Sequence, residues 1–161
     1  MMRKLLLVCF LLGAVGLASA QSVIPKWKIT DLEQELATSK QPTVVNFWAT
    51  FCRPCIVEIP YFQELVKKYE RDGVRLLLVS VDLPDDYAEI APFAKKRGFR
   101  APIRFLDETN ADYFCPRVDS SWSGAIPATL FVNPATGYRS FREESLSRQA
   151  FEAELRKLLA R

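Results

Sequence analysis

The side chains best equipped for chemistry sit together in Cys52-Arg53-Pro54-Cys55. Two thiols at i and i+3 can close into a disulfide and reopen, which is two-electron redox chemistry. The segment follows an apolar run, Thr43-Val44-Val45-Asn46-Phe47-Trp48, and opens a helical pattern. At such a junction the unpaired N–H groups of the first helical turn and the helix dipole favour negative charge on the first cysteine. Its thiolate, the form that attacks a disulfide, is thereby stabilised. The second cysteine lies one turn further in, placed to resolve the mixed disulfide and release a reduced partner. Pro54 stiffens the turn with its fixed φ and needs no N–H partner there. Arg53 brings positive charge beside the nucleophile, which lowers the thiol pKa further.

Other chemistries are narrowed by what the chain lacks. Its 161 residues contain four cysteines and no histidine, so Ser-His-Asp and Cys-His catalysis and His-ligated zinc or haem are excluded. A structural zinc site wants four ligands, and too few thiols are at hand. A haem-attachment motif needs histidine after the second cysteine, where Ile56 stands. No metal and no cofactor beyond the Cys52–Cys55 disulfide are expected. A formal charge of +3 without a Lys/Arg cluster among aromatics gives no footprint for nucleic acid.

The elements that must position the cysteines follow from periodicity. Strands are predicted at Thr43 to Trp48, Val74 to Val81, Ile103 to Leu106 and Ala128 to Val132, several of them continuous apolar runs suited to burial on both faces. Tyr138 to Arg142 alternates after the turn Asn133 to Gly137 and forms an edge hairpin. Helices are predicted from a capping box at Thr30 to about Ser39, from Pro54 to a stop at Gly73, from Asp85 to Arg97 with Pro92 forcing a kink or late start, and from an N-cap at Ser147 to the C-terminus. This is an α/β domain with a central mixed sheet flanked by helices.

Residues 1–20 read as a secretory signal: Arg3 and Lys4, the apolar run Leu5 to Leu12, then Ala18-Ser19-Ala20 as a cleavage site. The run to Ala20 is short of the about 20 apolar residues of a spanning helix, so cleavage is expected, with a membrane anchor over residues 5–20 if it fails. Cys9 reads as apolar filler within it. Residues 21–161 then form a single exported domain. Export means oxidising conditions, where cysteines pair, and leaves Cys115 without a partner. Free cysteines favour burial; the competing reading is a resolving or regulatory thiol.

Asn46-Phe47-Trp48-Ala49-Thr50-Phe51-Cys52-Arg53-Pro54-Cys55, with Glu58 and Pro60 following, resembles the active site of the thioredoxin superfamily. More narrowly it resembles the exported TlpA/ResA-like thiol-disulfide oxidoreductases. The similarity runs from about Trp27 to Leu159 and includes an extra strand-helix unit around Val74 to Arg97. The resemblance implies a thioredoxin-like fold and a redox-active Cys52–Cys55 pair. It implies a cis-proline at Pro127, with Ile126 offering its backbone to a substrate peptide by strand addition, and Trp48 as a further substrate-binding residue. The bland alternative for Pro127 is a proline at a strand entry.

Glu58 shares the face of Cys55 one turn on. Most helical glutamates are solvated, but this one matches the acidic position that the branch places beneath its cysteines. Partly buried, it would carry a raised pKa and accept the Cys55 proton. Where thioredoxins carry a buried aspartate, this chain has Asn46, which leaves Glu58 as the base. The implied partners are exported proteins with disulfides and a membrane-bound thiol electron donor, and the protein is expected to be a monomer. Two alternatives remain at this point: a thiol peroxidase on the same fold, suggested by Thr50 before Cys52, and a non-catalytic binding module. Pro54 resembles the reducing branch, whereas Arg53 pulls toward a more oxidising pair.

Overall fold

The computed structural model describes residues 23–160; the leader predicted over residues 1–20 lies outside them. Six strands form one mixed sheet in the order β1-β4-β3-β2-β5-β6. They are β1 (Lys26–Trp27), β2 (Thr43–Trp48), β3 (Arg75–Ser80), β4 (Ile103–Leu106), β5 (Ala128–Asn133) and β6 (Tyr138–Arg142). β1 to β4 pair in parallel, while β5 and β6 run antiparallel to close one edge. The helices are α1 (Ile29–Thr38), α2 (Arg53–Lys68), α3 (Tyr87–Arg97), α4 (Ala111–Val118) and α5 (Arg148–Leu159).

The central strand β2 is buried at every position, which is why its sequence runs apolar without alternation. Its two faces nevertheless sort cleanly. Val44 and Trp48 pack with Ile59, Phe62, Ile90 and Phe151 of α2, α3 and α5. Val45 and Phe47 pack with Ile29 and Leu32 of α1 and Cys115 and Val118 of α4. Asn46 shares the first face, since side chains alternate along a strand. A polar amide is therefore held at the centre of the sheet, under α2.

The boundaries of β2 to β6 fall within two residues of expectation, whereas the short edge strand β1 was not predicted; α5 opens as anticipated on Ser147, whose hydroxyl accepts from the Ala150 N–H at 3.2 Å. Pro92 lies inside α3, and the helix starts late, at Tyr87, behind a 3-10 turn at Pro84–Asp86. Three expectations are corrected. Helix α1 opens on Lys28 rather than Thr30: Asp31 accepts the Lys28 N–H at 2.7 Å, and Glu108, distant in sequence, accepts the Ile29 N–H at 2.9 Å. Helix α2 ends at Lys68, and a 3-10 turn at Glu70–Asp72 intervenes before Gly73, whose φ of 75° suits glycine. Finally, Cys115 belongs to a helix, α4, that is absent from the predicted elements and carries Pro116 inside it.

Among the described residues no helix is long and apolar enough to cross a membrane. The register brings the functional segments to one end of the sheet. β2 and β3 run parallel, and the Val81 N–H donates to the Trp48 carbonyl where they end. Ala128 pairs with Phe47 across the antiparallel β2–β5 ladder, so Ile126 and Pro127 enter the sheet beside the point where β2 leaves it. The cysteine loop, the exit of β3 and the Pro127 segment thus share one rim.

Candidate active site

Cys52 and Cys55 are joined in a disulfide with Cα atoms 5.3 Å apart. Cys52 is the N-cap of α2, with extended backbone, and its Sγ accepts from the Cys55 N–H at 3.4 Å. The sulfur thus lies where the first-turn donors converge. Cys52 keeps 6% of its surface exposed and Cys55 none. An incoming sulfur can reach Cys52 first; Cys55 can be reached only from within. Arg53 and Pro54 occupy the first turn and are exposed. Among the described residues Arg53 has no acidic partner, so its charge is free to act on what approaches Cys52.

The loop ahead of Cys52 is pinned from β3. Asp82, buried at the exit of that strand, accepts the Thr50 N–H at 2.9 Å and the Thr50 hydroxyl at 2.6 Å through Oδ1. Its Oδ2 accepts the Ser80 hydroxyl at 2.7 Å. Thr50, whose position makes a peroxidase reading attractive in the sequence, therefore has its hydroxyl committed to Asp82. Asp82 itself was missed, because the contact spans 32 residues and no local pattern announces it.

Glu58 is fully buried, deeper than the partial burial expected. Its Oε1 accepts from Asn46 Nδ2 at 3.0 Å, and its Oε2 accepts from the Ser145 hydroxyl and the Leu146 N–H, both at 3.1 Å. Burial raises its pKa to about 7, against the lowering effect of those three donors, and no charged side chain contributes. A carboxyl poised near neutrality, one turn beyond Cys55, has the properties of a general base. Ser145 is exposed and links this sealed carboxyl to the surface.

Trp48, expected among the substrate contacts, is not at the surface. It is fully buried, edge-on to Phe99 at 5.2 Å and stacked on Phe93 at 6.3 Å. The reason is its register: it pairs with Ser80 at the centre of the sheet, on the face that α3 covers. The aromatic offered to solvent is Phe51, 68% exposed and adjacent to Cys52. Phe51 was passed over because in sequence it reads as one more apolar residue of the run. Beside it an open cleft of about 430 Å³ lies against α3, lined by Thr50, Phe51, Glu89, Pro92, Phe93 and Lys96.

The Ile126–Pro127 peptide bond is cis, Ile126 is half-buried and Pro127 buried. The approach to it is clamped by Glu143, whose Oε1 accepts the N–H groups of Ser123 and Ala125, each at 3.0 Å, and the Ser123 hydroxyl. Glu143 was another long-range contact with no sequence signal. Cys115 is a free, buried thiol in α4 whose pKa burial pushes to about 11, with help from Glu143 and Asp112. A thiol so protonated and enclosed is inert near neutrality. Among the described residues no three His, Cys, Asp or Glu side chains gather to hold a metal ion.

Residues 21–137 match the AhpC/TSA family. Over 116 residues the chain is 31% identical to the thiol-disulfide oxidoreductase ResA of Bacillus thuringiensis, covering 62% of this chain and 66% of that one. Over 86 residues it is 37% identical to ResA of Geobacillus kaustophilus, covering 51% and 48%. The chain thus spans about two thirds or less of the curated relatives it matches. A thioredoxin-related protein from Neisseria meningitidis superposes with a TM-score of 0.65 over 76% of this chain and 89% of that one, at 23% identity, showing the thioredoxin-like fold. The family match runs through the cysteine motif, the helix behind it and the Ile126–Pro127 entry to β5, and the chain belongs to the AhpC/TSA family.

Proposed function

We propose that the protein is a thiol-disulfide oxidoreductase that reduces disulfides of exported proteins, with residues 1–20 directing its export and 21–161 forming the catalytic domain. The observation that carries this reading is the Cys52–Cys55 disulfide at the head of α2, with Cys52 keeping a sliver of exposed surface, Cys55 none, and a buried carboxyl one turn further along the helix. The similarity to proteins named thiol-disulfide oxidoreductase supports it.

In the reduced protein the Cys52 thiolate attacks a client disulfide. A Cys52–client S–S bond forms, the client S–S bond breaks, and one client sulfur leaves as a thiolate that takes a proton from water. Cys55 then gives its proton to Glu58, and its thiolate attacks Cys52 Sγ. The Cys52–Cys55 bond forms, the mixed disulfide breaks and the second client sulfur departs. Two electrons have passed to the client, and a membrane-bound dithiol donor returns them by the reverse exchange, itself becoming a disulfide. Ile126 and Pro127 offer backbone to the client segment, Phe51 an apolar face, and Arg53 favours the Cys52 thiolate.

The test is the reduction potential of the pair in thiol/disulfide buffers together with catalysed reduction of a protein disulfide. A potential above about −300 mV with turnover at the expense of a small dithiol supports the reading; a potential well below that value, without turnover, marks a structural bridge and a binding module. Peroxide consumption far above that of a free thiol, without disulfide reduction, would move the assignment to a peroxidase.

A further inference from the structure

The environment of Glu58 contains a mismatch that appears only when its proton is counted. The groups facing it are the Tyr61 phenol on α2, Asn46 on β2, Thr129 behind Asn46 on β5, and Ser145 with the Leu146 N–H ahead of α5, while Cys55 precedes it by one turn of α2. The Leu146 N–H can only donate, and together with the Ser145 hydroxyl it converges on Oε2. That oxygen is the better carbonyl-type acceptor, which makes Oε1 the oxygen to carry a proton. Oε1, however, faces Asn46 Nδ2, which is also only a donor. Protonated Glu58 would press an O–H against an N–H.

The remaining atom of the same amide resolves this. Asn46 Oδ1 is buried and has no hydrogen-bond partner among the described residues, an uncommon state for a buried polar atom. Nδ2 donates to both Glu58 Oε1 and Thr129 Oγ1, the latter at 3.1 Å. A half-turn about Cβ–Cγ exchanges Oδ1 for Nδ2. The amide then accepts from the Glu58 acid and from the Thr129 hydroxyl, which can rotate to donate. Two hydrogen bonds exist before and two after.

We propose that the Asn46 carboxamide turns over each time Glu58 gains or loses a proton, donating to the carboxylate and accepting from the acid. Asn46 is thus a positioning residue that acts through Glu58, and the inference rests on Glu58 being the base of the resolving step. In that step the Cys55 S–H proton passes to Oε1, the Cys55 thiolate forms its bond to Cys52 Sγ, and the Cys52–client bond breaks. The proton leaves again to solvent when the disulfide is closed. An aspartate at position 46 could not serve. Two carboxylates at 3 Å share one proton and titrate as a coupled pair, the upper step displaced upward. A carboxyl that stays protonated through neutrality is no base.

The experiment follows both partners in one sample. Carbon-detected NMR of the Glu58 carboxyl and proton–nitrogen NMR of the Asn46 amide are recorded from pH 5 to 9 on the reduced full chain. Both should titrate with one common midpoint near neutrality, and the Asn46 titration should vanish in Glu58→Gln. In Asn46→Asp, a near-isosteric change whose fold is checked by circular dichroism, the upper carboxyl midpoint should rise by more than one pH unit. Mixed-disulfide resolution at pH 7 should fall by about tenfold. An Asn46 amide that stays invariant while Glu58 titrates overturns the turnover alone and places the proton on Oε2 toward Ser145. A Glu58 carboxyl that does not titrate in this range overturns the base assignment as well.

Discussion

Replacing Glu58 with glutamine separates its chemical role from its structural one. Glutamine keeps an oxygen for the Leu146 N–H and the Ser145 hydroxyl, and its NH₂ can meet the unpartnered Asn46 Oδ1. The fold therefore survives while the capacity to take a proton is lost. With its pKa near 7, the carboxylate fraction in the wild-type protein rises about tenfold per pH unit up to neutrality and then levels. Resolution should follow that curve. In Glu58→Gln the step should slow by roughly 10²–10⁴-fold at pH 7, the span of a lost general base, and track the Cys55 thiol alone. Stopped-flow decay of the mixed disulfide from pH 5 to 9 reads this directly. Superimposable rate–pH profiles in the two proteins would refute the assignment.

The same substitution has a stability signature of defined sign. A folded-state pKa of about 7 against an ordinary 4.5 means that the native protein binds this proton more tightly than the unfolded chain. Stability from this group is fully present below about pH 4.5 and lost as pH rises through about 7. At about 1.4 kcal/mol per unit the change is on the order of 3 kcal/mol. Urea unfolding of the oxidised wild-type protein should weaken across that window, and Glu58→Gln should abolish that part of the slope.

Three further predictions concern neighbouring groups. Alkylation of the reduced protein near pH 6 should label Cys52 first and leave Cys115 untouched until unfolding, as mass mapping would show; early labelling of Cys55 would reverse the roles. Asp82→Ala strips the Thr50 N–H and hydroxyl and the Ser80 hydroxyl of their acceptor, and should cost about 1–3 kcal/mol in denaturant unfolding while slowing attack by Cys52. Glu154 is destabilised as an anion by burial, but hydrogen bonds from Arg142, Lys157 and Tyr138 prevail and hold its pKa at about 2. Its contribution is present above about pH 4.5 and lost as pH falls through about 2, opposite in sense to Glu58, so Glu154→Gln should flatten acid unfolding in that range.

What could be read from the chain and what could not divide along physical lines. β2, β3 and the opening of α2 were legible because continuous apolar runs and a Cys-x-x-Cys at a strand-to-helix junction are local signals. The buried acid Glu58 was legible as one turn from Cys55, but the depth of its burial depends on Leu146 and Ser145, more than 80 residues away. Trp48, named from the resemblance alone, is buried because its register with Ser80 sets it on the face that α3 covers, a long-range pairing no motif reports. Helix α4 was missed because Pro116 weighs against a helix locally, whereas packing of Cys115 and Val118 against the sheet outweighs it. Asp82, Glu143 and the Glu108 contact to α1 are long-range hydrogen bonds, invisible to any periodicity.

The proposed chemistry divides the labour between two sulfurs, with Cys52 attacking and Cys55 resolving. Single-cysteine variants test it most directly. Cys55→Ala and Cys52→Ala are each reduced and mixed with an exported protein that carries a disulfide, and the covalent adducts are mapped by mass spectrometry. A stable mixed disulfide is expected through Cys52 in Cys55→Ala and little or none in Cys52→Ala, because Cys55 is sealed from solvent. Adducts forming through Cys55, or equally in both variants, would contradict it.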